Sequence, residues 1–363
     1  SGADYAEYFE WKDGNSSSED RRGYTVVLDG NQIRKSTSDD AQSSILGVVS
    51  ATPAVVGDTG QMNWQGKHER DEWGSYILEE YTQTEWTEDD DEFSIGCAGG
   101  VDTNTNYKYD TEAAKGEAFE ISIKGLKGGH SGVDIQLERG NANLLMNRLI
   151  WNCEDFGLRI SVIDGGSLRN AIPRESTATI VIEDTAYLAE FEIRKATLLS
   201  ELSISDPETQ ITIIPAAMPK EVVSEVDTFR ITNTLKSVFN GVYKISLTIA
   251  NLVETSSSMA RVIIADGEFI TNSLQRSSLD SGIKDVSTTV GSVFELMGCE
   301  VEYTGEYPGW EPNANSEILD IMKTKYTSLF GEGLKVTSIH AGLECGLLGK
   351  RYPGLDMISF GPT

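Results

Sequence analysis

Lys124-Gly125-Leu126-Lys127-Gly128-Gly129-His130-Ser131-Gly132 turns the chain sharply after an alternating stretch at 119–123 that predicts a β-strand. Only three histidines occur in 363 residues, and one of them, His130, stands in this turn. Glycine on both sides permits tight backbone turns, so we expect a bare imidazole able to touch a substrate. A surface loop that happens to contain a histidine is the alternative.

A second turn, Gly165-Gly166-Ser167-Leu168-Arg169-Asn170-Ala171-Ile172-Pro173-Arg174-Glu175, follows the next predicted strand. The pattern after residue 94 begins with the strand at 119–123 and predicts the order β-α-β-β-α-β. This order is typical of a ferredoxin-like unit in an α/β (α+β) protein. Its other elements are predicted as helices 141–153 and 186–202, and strands 158–163, 177–182 and 209–214.

A similar order is expected to follow in tandem, so the middle of the chain is predicted to hold two ferredoxin-like units. The elements predicted after the first unit are helices 226–239, 282–297 and 316–330, and strands 245–252, 259–265, 300–304, 335–338 and 357–360. Residues 1–87 have strand-like pieces among Gly, Asp and Ser turns and are predicted to be mostly β.

Composition limits the function classes. A net charge of −27 disfavours nucleic acid and anionic membrane surfaces as partners. No apolar run approaches the ~18–20 residues that span a membrane, and no signal peptide is visible. The four cysteines show no paired spacing, which indicates free thiols in a reducing compartment and hence a cytoplasmic protein.

Five further motifs give most of the chain a family resemblance. They are Ile95-Gly96-Cys97-Ala98-Gly99-Gly100, Arg276-Ser277-Ser278-Leu279-Asp280-Ser281-Gly282, Tyr307-Pro308-Gly309-Trp310, His340-Ala341-Gly342-Leu343-Glu344-Cys345-Gly346 and Asp356-Met357-Ile358-Ser359-Phe360-Gly361-Pro362-Thr363. In this order, and with the two glycine turns, about residues 88–363 resemble aminoacyl-histidine (Xaa-His) dipeptidases of the dinuclear-zinc aminopeptidase and carboxypeptidase superfamily. The resemblance implies hydrolysis of unblocked dipeptides and an α/β lid domain.

The resemblance also implies site residues. His130 would polarise the scissile carbonyl, and Asn170 would contact the tetrahedral oxygen or the substrate. A turn asparagine that bonds local backbone is the alternative for Asn170. Arg276 has the planar fork that suits a substrate carboxylate, or is a surface arginine in an ion pair. Glu344 would meet the amino end of a dipeptide, or stabilise the start of a helix. His340, between Ile339 and Ala341, is expected to be structural.

Zinc is expected from the family, but its ligand set is not found. No His-x-Asp occurs, and His68, His130 and His340 stand in three unrelated contexts. A zinc site needs three or four converging ligands, so we assign no metal ligands. We expect a hydrolase by resemblance that is incomplete or inactive as it stands.

The first part of the chain resembles something else. The motifs are Asp4-Tyr5-Ala6-Glu7-Tyr8-Phe9-Glu10-Trp11, Glu19-Asp20-Arg21-Arg22-Gly23, Ile45-Leu46-Gly47-Val48-Val49-Ser50-Ala51-Thr52-Pro53, Trp64-Gln65-Gly66-Lys67 and Asp71-Glu72-Trp73-Gly74. They resemble the autoproteolytic intramolecular chaperone domain of phage tail and neck appendage proteins. That resemblance implies a structural assembly module that trimerises and cuts itself free, with Ser1 as the residue exposed by the cut or as a cloning remnant.

The predicted domains follow from these resemblances. They are 1–87, a chaperone-like segment; 88–115, a junction with a catalytic-domain remnant; 116–305, the lid; and 306–363, a C-terminal catalytic-domain remnant. A dipeptide is the expected ligand, and the expected homo-oligomer is a dimer by the dipeptidase resemblance or a trimer by the phage resemblance. A natural fusion, an engineered chimera and a mis-assembled sequence all remain open.

Overall fold

The computed structural model describes residues 5–7, 11–14, 19, 21, 24–29, 32–40, 45–49, 55–57, 91–313, 315–331, 333 and 335–362. The chain divides into two compact units. The first comprises 1–94, 315–336 and 352–363, and the second comprises 95–314 and 337–351. No helix in these described ranges is long and apolar enough to cross a membrane.

The elements of the described residues are as follows. The strands are β1 Tyr5–Glu7, β2 Thr25–Asp29, β3 Gln32–Lys35, β4 Ile45–Val48, β5 Val55–Gly57, β6 Asp91–Cys97, β7 Gly99–Lys108, β8 Thr111–Ala113, β9 Glu117–Lys124, β10 Gly129–His130, β11 Arg159–Gly165, β12 Ala171–Ile172, β13 Ser176–Ile182, β14 Gln210–Pro215, β15 Glu221–Val223, β16 Gly241–Ile245, β17 Val253–Ala265, β18 Glu268–Ser277, β19 Glu300–Tyr307, β20 Lys335–Ile339 and β21 Ser359–Pro362. The helices are α1 Ala142–Ile150, α2 Tyr187–Glu201, α3 Glu225–Ser237, α4 Asp280–Met297, α5 Glu317–Phe330 and α6 Glu344–Arg351.

The first unit is β-structured over its described N-terminal residues, as predicted. β3, β2 and β4 form an antiparallel sheet, and β1 pairs in parallel with β5. The buried guanidinium of Arg21 lies 4.3 Å from the ring centre of Trp11 and donates two hydrogen bonds of 2.7 Å to Asp13. This cation–π and ion-pair contact ties the loops beside the small sheet together.

The second unit is built on one nine-stranded sheet. Eight strands follow the order β14-β9-β13-β11-β17-β18-β7-β19, and β16 also pairs with β17. The sequence β9-α1-β11-β13-α2-β14 has the strand order 4-1-3-2 within this sheet, so the predicted ferredoxin-like unit is present. The α/β fold class is confirmed.

The other half of the sheet repeats the order in mirror fashion. This second unit consists of β7, β17, β18 and β19 with α3 and α4. When its strands are numbered in chain order and read outward from β11, their order in the sheet is 2-3-1-4. The first strand of this second unit is β7, which precedes the whole first unit along the chain. The two units are therefore nested, not tandem, and they join where β11 pairs with β17.

The helices pack on the sheet through faces that their sequences define. Asn141, directly before α1, caps the helix: its side chain accepts hydrogen bonds from the N–H groups of Asn143 and Leu144. Leu149 and Ile150 from α1 are almost fully buried in the main core. Burying a side chain of this size stabilises a fold by about 1.5–3 kcal/mol.

The predicted elements differ from the structure at further points. β7 and β18 were not predicted, and the strand predicted at 245–252 is wrong: β16 ends at Ile245. After it the Ser246 hydroxyl accepts hydrogen bonds from the N–H groups of Thr248 and Ile249, which turns the chain. Leu247 is consequently 99% exposed in spite of its place in an alternating pattern.

Candidate functional site

The glycine turn holds His130 in a short strand. β10 pairs antiparallel with β12, so that His130 lies opposite Ala171. The N–H of His130 donates to Asp134 Oδ2 at 2.7 Å. Gly129, at φ +136, leaves this carboxylate room, since a Cβ there would stand 2.5 Å from the same oxygen. The turn is thus fixed by backbone contacts that a side chain at 129 would block.

The ring of His130 is half-buried, so the expectation of a bare imidazole is wrong. The N–H groups of Gly132 and Val133 both donate to Nδ1, at 3.1 and 3.0 Å. A nitrogen that accepts carries no proton, so the neutral ring bears its hydrogen on Nε2. Burial, and secondly the charge of Arg276, lower the pKa of His130 to about 4. At neutral pH His130 is a neutral donor through Nε2.

Arg276 is positioned by a row of residues across four strands. Ser256 on β17, Arg276 on β18, Gly100 on β7 and Tyr307 on β19 lie directly opposite one another. Arg276 Nη1 donates to Tyr307 Oη at 2.5 Å. Gly100 makes room for this contact, because a Cβ at that position would stand 2.7 Å from Tyr307 Oη.

Arg276 and His130 present donors to each other. Nη2 of Arg276 lies 3.4 Å from Nε2 of His130, and both atoms carry hydrogens. Arg276 is only 3% exposed, and its Nε has no hydrogen-bond partner among the described residues. No described carboxylate lies within ion-pair distance of it. Two facing donors, one of them charged, attract an anionic oxygen between them.

Burial also lowers the pKa of Arg276. An anion at this position would offset that cost, because opposite charge stabilises a buried guanidinium. The arrangement is therefore suited chemically to holding a carboxylate or an oxyanion.

His340 lies beside these residues as a structural histidine. It is 6% exposed, and its Nε2 is 2.7 Å from Ser256 Oγ, which is itself fully buried. Burial, with Arg276 and His130 next, lowers the pKa of His340 to about 3. The His340 carbonyl oxygen also crowds Gly132, where a Cβ would stand 2.0 Å from it. The His340 backbone thus packs directly against the glycine turn.

The turn that carries Asn170 is tied to β7. Arg169 forms an ion pair with Asp102, which is 5% exposed and whose Oδ1 has no hydrogen-bond partner in the described ranges. The carbonyl of Asn170 accepts from the N–H of Ser131 at 2.9 Å, while the residue itself is exposed. The structure therefore places Asn170 next to His130 with its side chain in solvent.

Glu344 and Ser1 are the remaining predicted site residues. Glu344 is exposed in the first turn of α6, where a carboxylate complements the helix dipole. Ser1 lies outside the described residues, and so does His68. Among the described residues no group of three or more His, Cys, Asp or Glu side chains could hold a metal ion.

Comparison with known proteins now bears on both resemblances. The cytosol non-specific dipeptidase of Escherichia coli is 36% identical over 285 residues, which are 76% of this chain and 58% of that protein. The solved aminoacylhistidine dipeptidase of Vibrio alginolyticus has 38% sequence identity and a TM-score of 0.72, over 75% of this chain and 57% of that one. The dipeptidase resemblance is confirmed. The chain spans less than two thirds of the length of these two relatives.

Family models match two stretches. The peptidase dimerisation domain matches residues 121–200, which include His130 and Asn170. The autoproteolytic cleavage domain of the Peptidase_G2 family matches residues 1–131. The pre-neck appendage protein of Bacillus phage B103 is 36% identical over 77 residues, which are 21% of this chain and 8% of that protein. The phage resemblance is confirmed as well.

Sequence reasoning gave no role to Tyr307, Asp102 or Ser256. Tyr307 stands in a motif that the resemblance had marked, which was the one available signal. Asp102 and Ser256 became site residues only through the register of β7, β18 and β17.

Proposed function

We propose that the second unit binds short peptides by their carboxylate, as the substrate-binding part of a dipeptidase. The observation that supports this most is the pair of facing donors, His130 Nε2–H and Arg276 Nη2, 3.4 Å apart. Arg276 neutralises the ligand's charge, and His130 donates to an oxygen of the same ligand. The dipeptidase relatives make a dipeptide the natural ligand class.

Asn170 and Glu344 take part from the exposed rim in this proposal. The Asn170 amide, next to the His130 turn, donates to the carbonyl oxygen of the peptide. Glu344 meets the ligand's amino group, although its place in the first turn of α6 also suits a purely helix-stabilising role. Each role is tested by substituting the residue by alanine and measuring binding.

Hydrolysis is not part of the proposal. The resemblance implies two zinc ions, but the described residues do not fit them, because no three potential ligands converge. We therefore derive no step through a metal. Recognition by His130 and Arg276 stands without one, since it depends on charge and hydrogen bonds alone.

Titration calorimetry with glycyl-histidine tests the proposal. Its C-terminal amide is the matched ligand, because it keeps the shape and loses the charge. We expect the amide to bind at least about tenfold more weakly, a change of ~1.4 kcal/mol. Arg276→Lys should weaken binding of the acid similarly, since a lysine lacks the planar fork.

Arg230→Lys is the control, because Arg230 is an exposed arginine that pairs with Asp227. It should bind like the wild type. Equal binding of the acid and the amide, or full affinity in the Arg276→Lys variant, would refute carboxylate recognition at this site.

A second candidate function comes from the family match over residues 1–131. We propose it as an assembly activity of the N-terminal part of the chain, which forms an oligomer and undergoes autoproteolytic cleavage at Ser1. The match of residues 121–200, in the second unit, to a dimerisation domain supports a dimer, whereas the phage resemblance of the N-terminal part implies a trimer.

Light scattering of the purified chain distinguishes these assemblies by mass. A precursor extended before Ser1, followed by intact mass spectrometry, tests cleavage. A precursor that stays uncut over days, in a sample that is monomeric throughout, would contradict the assembly function and leave peptide binding untouched.

A further inference from the structure

A separate cleft is lined in part by the segment that follows His130 in the chain. It has a volume of about 450 Å³, which is within the range of small-molecule sites. Its walls come from the segment 135–148, from Ile172 and from residues 239–242 before and within β16. The peptide site described above shares none of the lining residues.

About half of the residues that line the cleft are apolar. Ile135, Leu145 and Ile172 are buried, while Leu144, Phe239 and Val242 are partly exposed to the cleft. Phe239 is held by an edge-on contact with Tyr243, whose ring centre is 5.2 Å away. A ligand with an aliphatic or aromatic body therefore fits the cleft better than a fully polar one.

Most polar groups at the back of the cleft have hydrogen-bond partners. Asn141 Nδ2 donates to the Met259 carbonyl at 2.8 Å, and the Met259 N–H donates to Asn240 Oδ1 at 2.8 Å. Ser258 is the exception: it is fully buried, lines the cleft, and its Oγ has no hydrogen-bond partner in the described part of the chain. A buried hydroxyl without a partner favours a ligand that can accept from it.

The two arginines of the cleft differ in how they are paired. Arg148 makes two hydrogen bonds to Glu201, at 2.6 and 2.8 Å. Arg139 donates to the Gly128 carbonyl at 2.7 Å, but its nearest carboxylate oxygen, Asp134 Oδ1, is 3.7 Å away. The other oxygen of Asp134 is taken by the His130 N–H. Arg139 therefore retains donors for an anion. The cleft is also lined by Glu138, whose exposed carboxylate forms no ion pair with Arg139 among the described residues.

We infer that this cleft binds a small carboxylate with an apolar body. Arg139 receives the carboxylate, the Ser258 hydroxyl donates to it, and the apolar walls cover the rest of the ligand. This goes beyond the proposed function and does not depend on it.

The probe is 3-phenylpropionate, with 3-phenylpropanol as its neutral counterpart, titrated into the full chain by calorimetry. The acid should bind at least tenfold more tightly than the alcohol. Arg139→Gln should remove that preference and leave the alcohol unchanged, while Ser258→Ala weakens the acid several-fold. Arg230→Gln, remote from the cleft, should bind both as the wild type does.

A filling variant keeps the test independent of the turn that Arg139 supports. Leu144→Trp places a large ring in the cleft and should abolish binding of both probes, with the folded state checked by its melting temperature. Glycyl-histidine should not compete for binding of the acid. Competition by that dipeptide, loss of acid binding in Arg276→Lys, or wild-type affinity for the acid in Arg139→Gln would each overturn the inference.

Discussion

Gly132→Ala is the sharpest test of the site geometry. Gly132 is buried, and a Cβ there would stand 2.0 Å from the His340 carbonyl oxygen and 2.9 Å from Arg276 Cδ. Ordinary contacts are above 3.4 Å, so the turn or the His340 segment must move by more than an ångström. Overpacking typically costs ~1–3 kcal/mol, and the backbone contact puts this case at the upper end, about 3 kcal/mol.

Calorimetry measures the effect. For a unit of 150–250 residues each kcal/mol lowers Tm by ~2–4 °C, so we expect a fall of ~6–12 °C. The displaced Arg276 would also cease to oppose protonation of His130, so the pKa of His130 should rise from about 4 toward its usual value. Proton NMR of the imidazole C–H signals follows that pKa directly.

Gly333→Ala is the matched control, since Gly333 is exposed and a Cβ there meets nothing within 4 Å. Its melting temperature should change by ~1–2 °C at most. If Gly132→Ala melted like the control and His130 titrated as in the wild type, the packing of the glycine turn against Arg276 and His340 would be refuted.

Three further predictions follow from the same contacts. The buried His340, whose pKa is lowered to about 3, stays neutral in the folded state while the unfolded state takes up a proton, so the free energy of unfolding should fall as pH drops from ~6.5 toward 3. Urea titrations at several pH values should show a shallower fall for His340→Gln. An identical fall in the variant would exclude His340 as a source of the pH dependence. Asp102→Asn breaks the ion pair with Arg169, which ties the turn of Asn170 to β7. The Ser131 amide donates to the Asn170 carbonyl, so its hydrogen exchange should become about tenfold faster in the variant. Unchanged exchange would mean that Asp102 does not hold this turn. Cys97, Cys153 and Cys299 are buried and Cys345 is partly buried. Burial raises the pKa of Cys153, Cys299 and Cys345 to about 12 and also raises that of Cys97, so the native protein should react slowly with a disulfide reagent and release four equivalents only in urea. Rapid reaction of the three buried thiols in the native protein would contradict this.

Periodicity identified the elements that pack an apolar face. The first ferredoxin-like unit was predicted because its strands alternate and its helices carry apolar stripes, as in β9 and α1. β7 and β18 were not predicted because their buried side chains are largely polar. Thr103 bonds to Gln275 at 2.6 Å, and Thr105 lies 2.7 Å from Thr271, so hydroxyl and amide groups fill positions where a hydrophobic pattern would be sought.

The sequence predicted which residues belong to the site, but not the contacts between them. His130 and Arg276 stood out through their motifs, yet nothing in the linear sequence links Arg276 to Tyr307. Their contact depends on β18 and β19 flanking β7, with Gly100 between them. Register across strands that lie far apart in the chain is set by tertiary pairing, which single-sequence patterns do not report.

The nested topology has a consequence for how the second unit assembles. β9 to β14 close their pairings within about a hundred residues of chain, whereas β7 must wait for β18, more than 150 residues later. Contacts between distant residues are slow to form because chain entropy is lost before they stabilise anything. We expect the inner unit to fold first, with the outer strands closing around it. During synthesis β7 leaves the ribosome early and remains an unpaired strand until its two neighbours have been made.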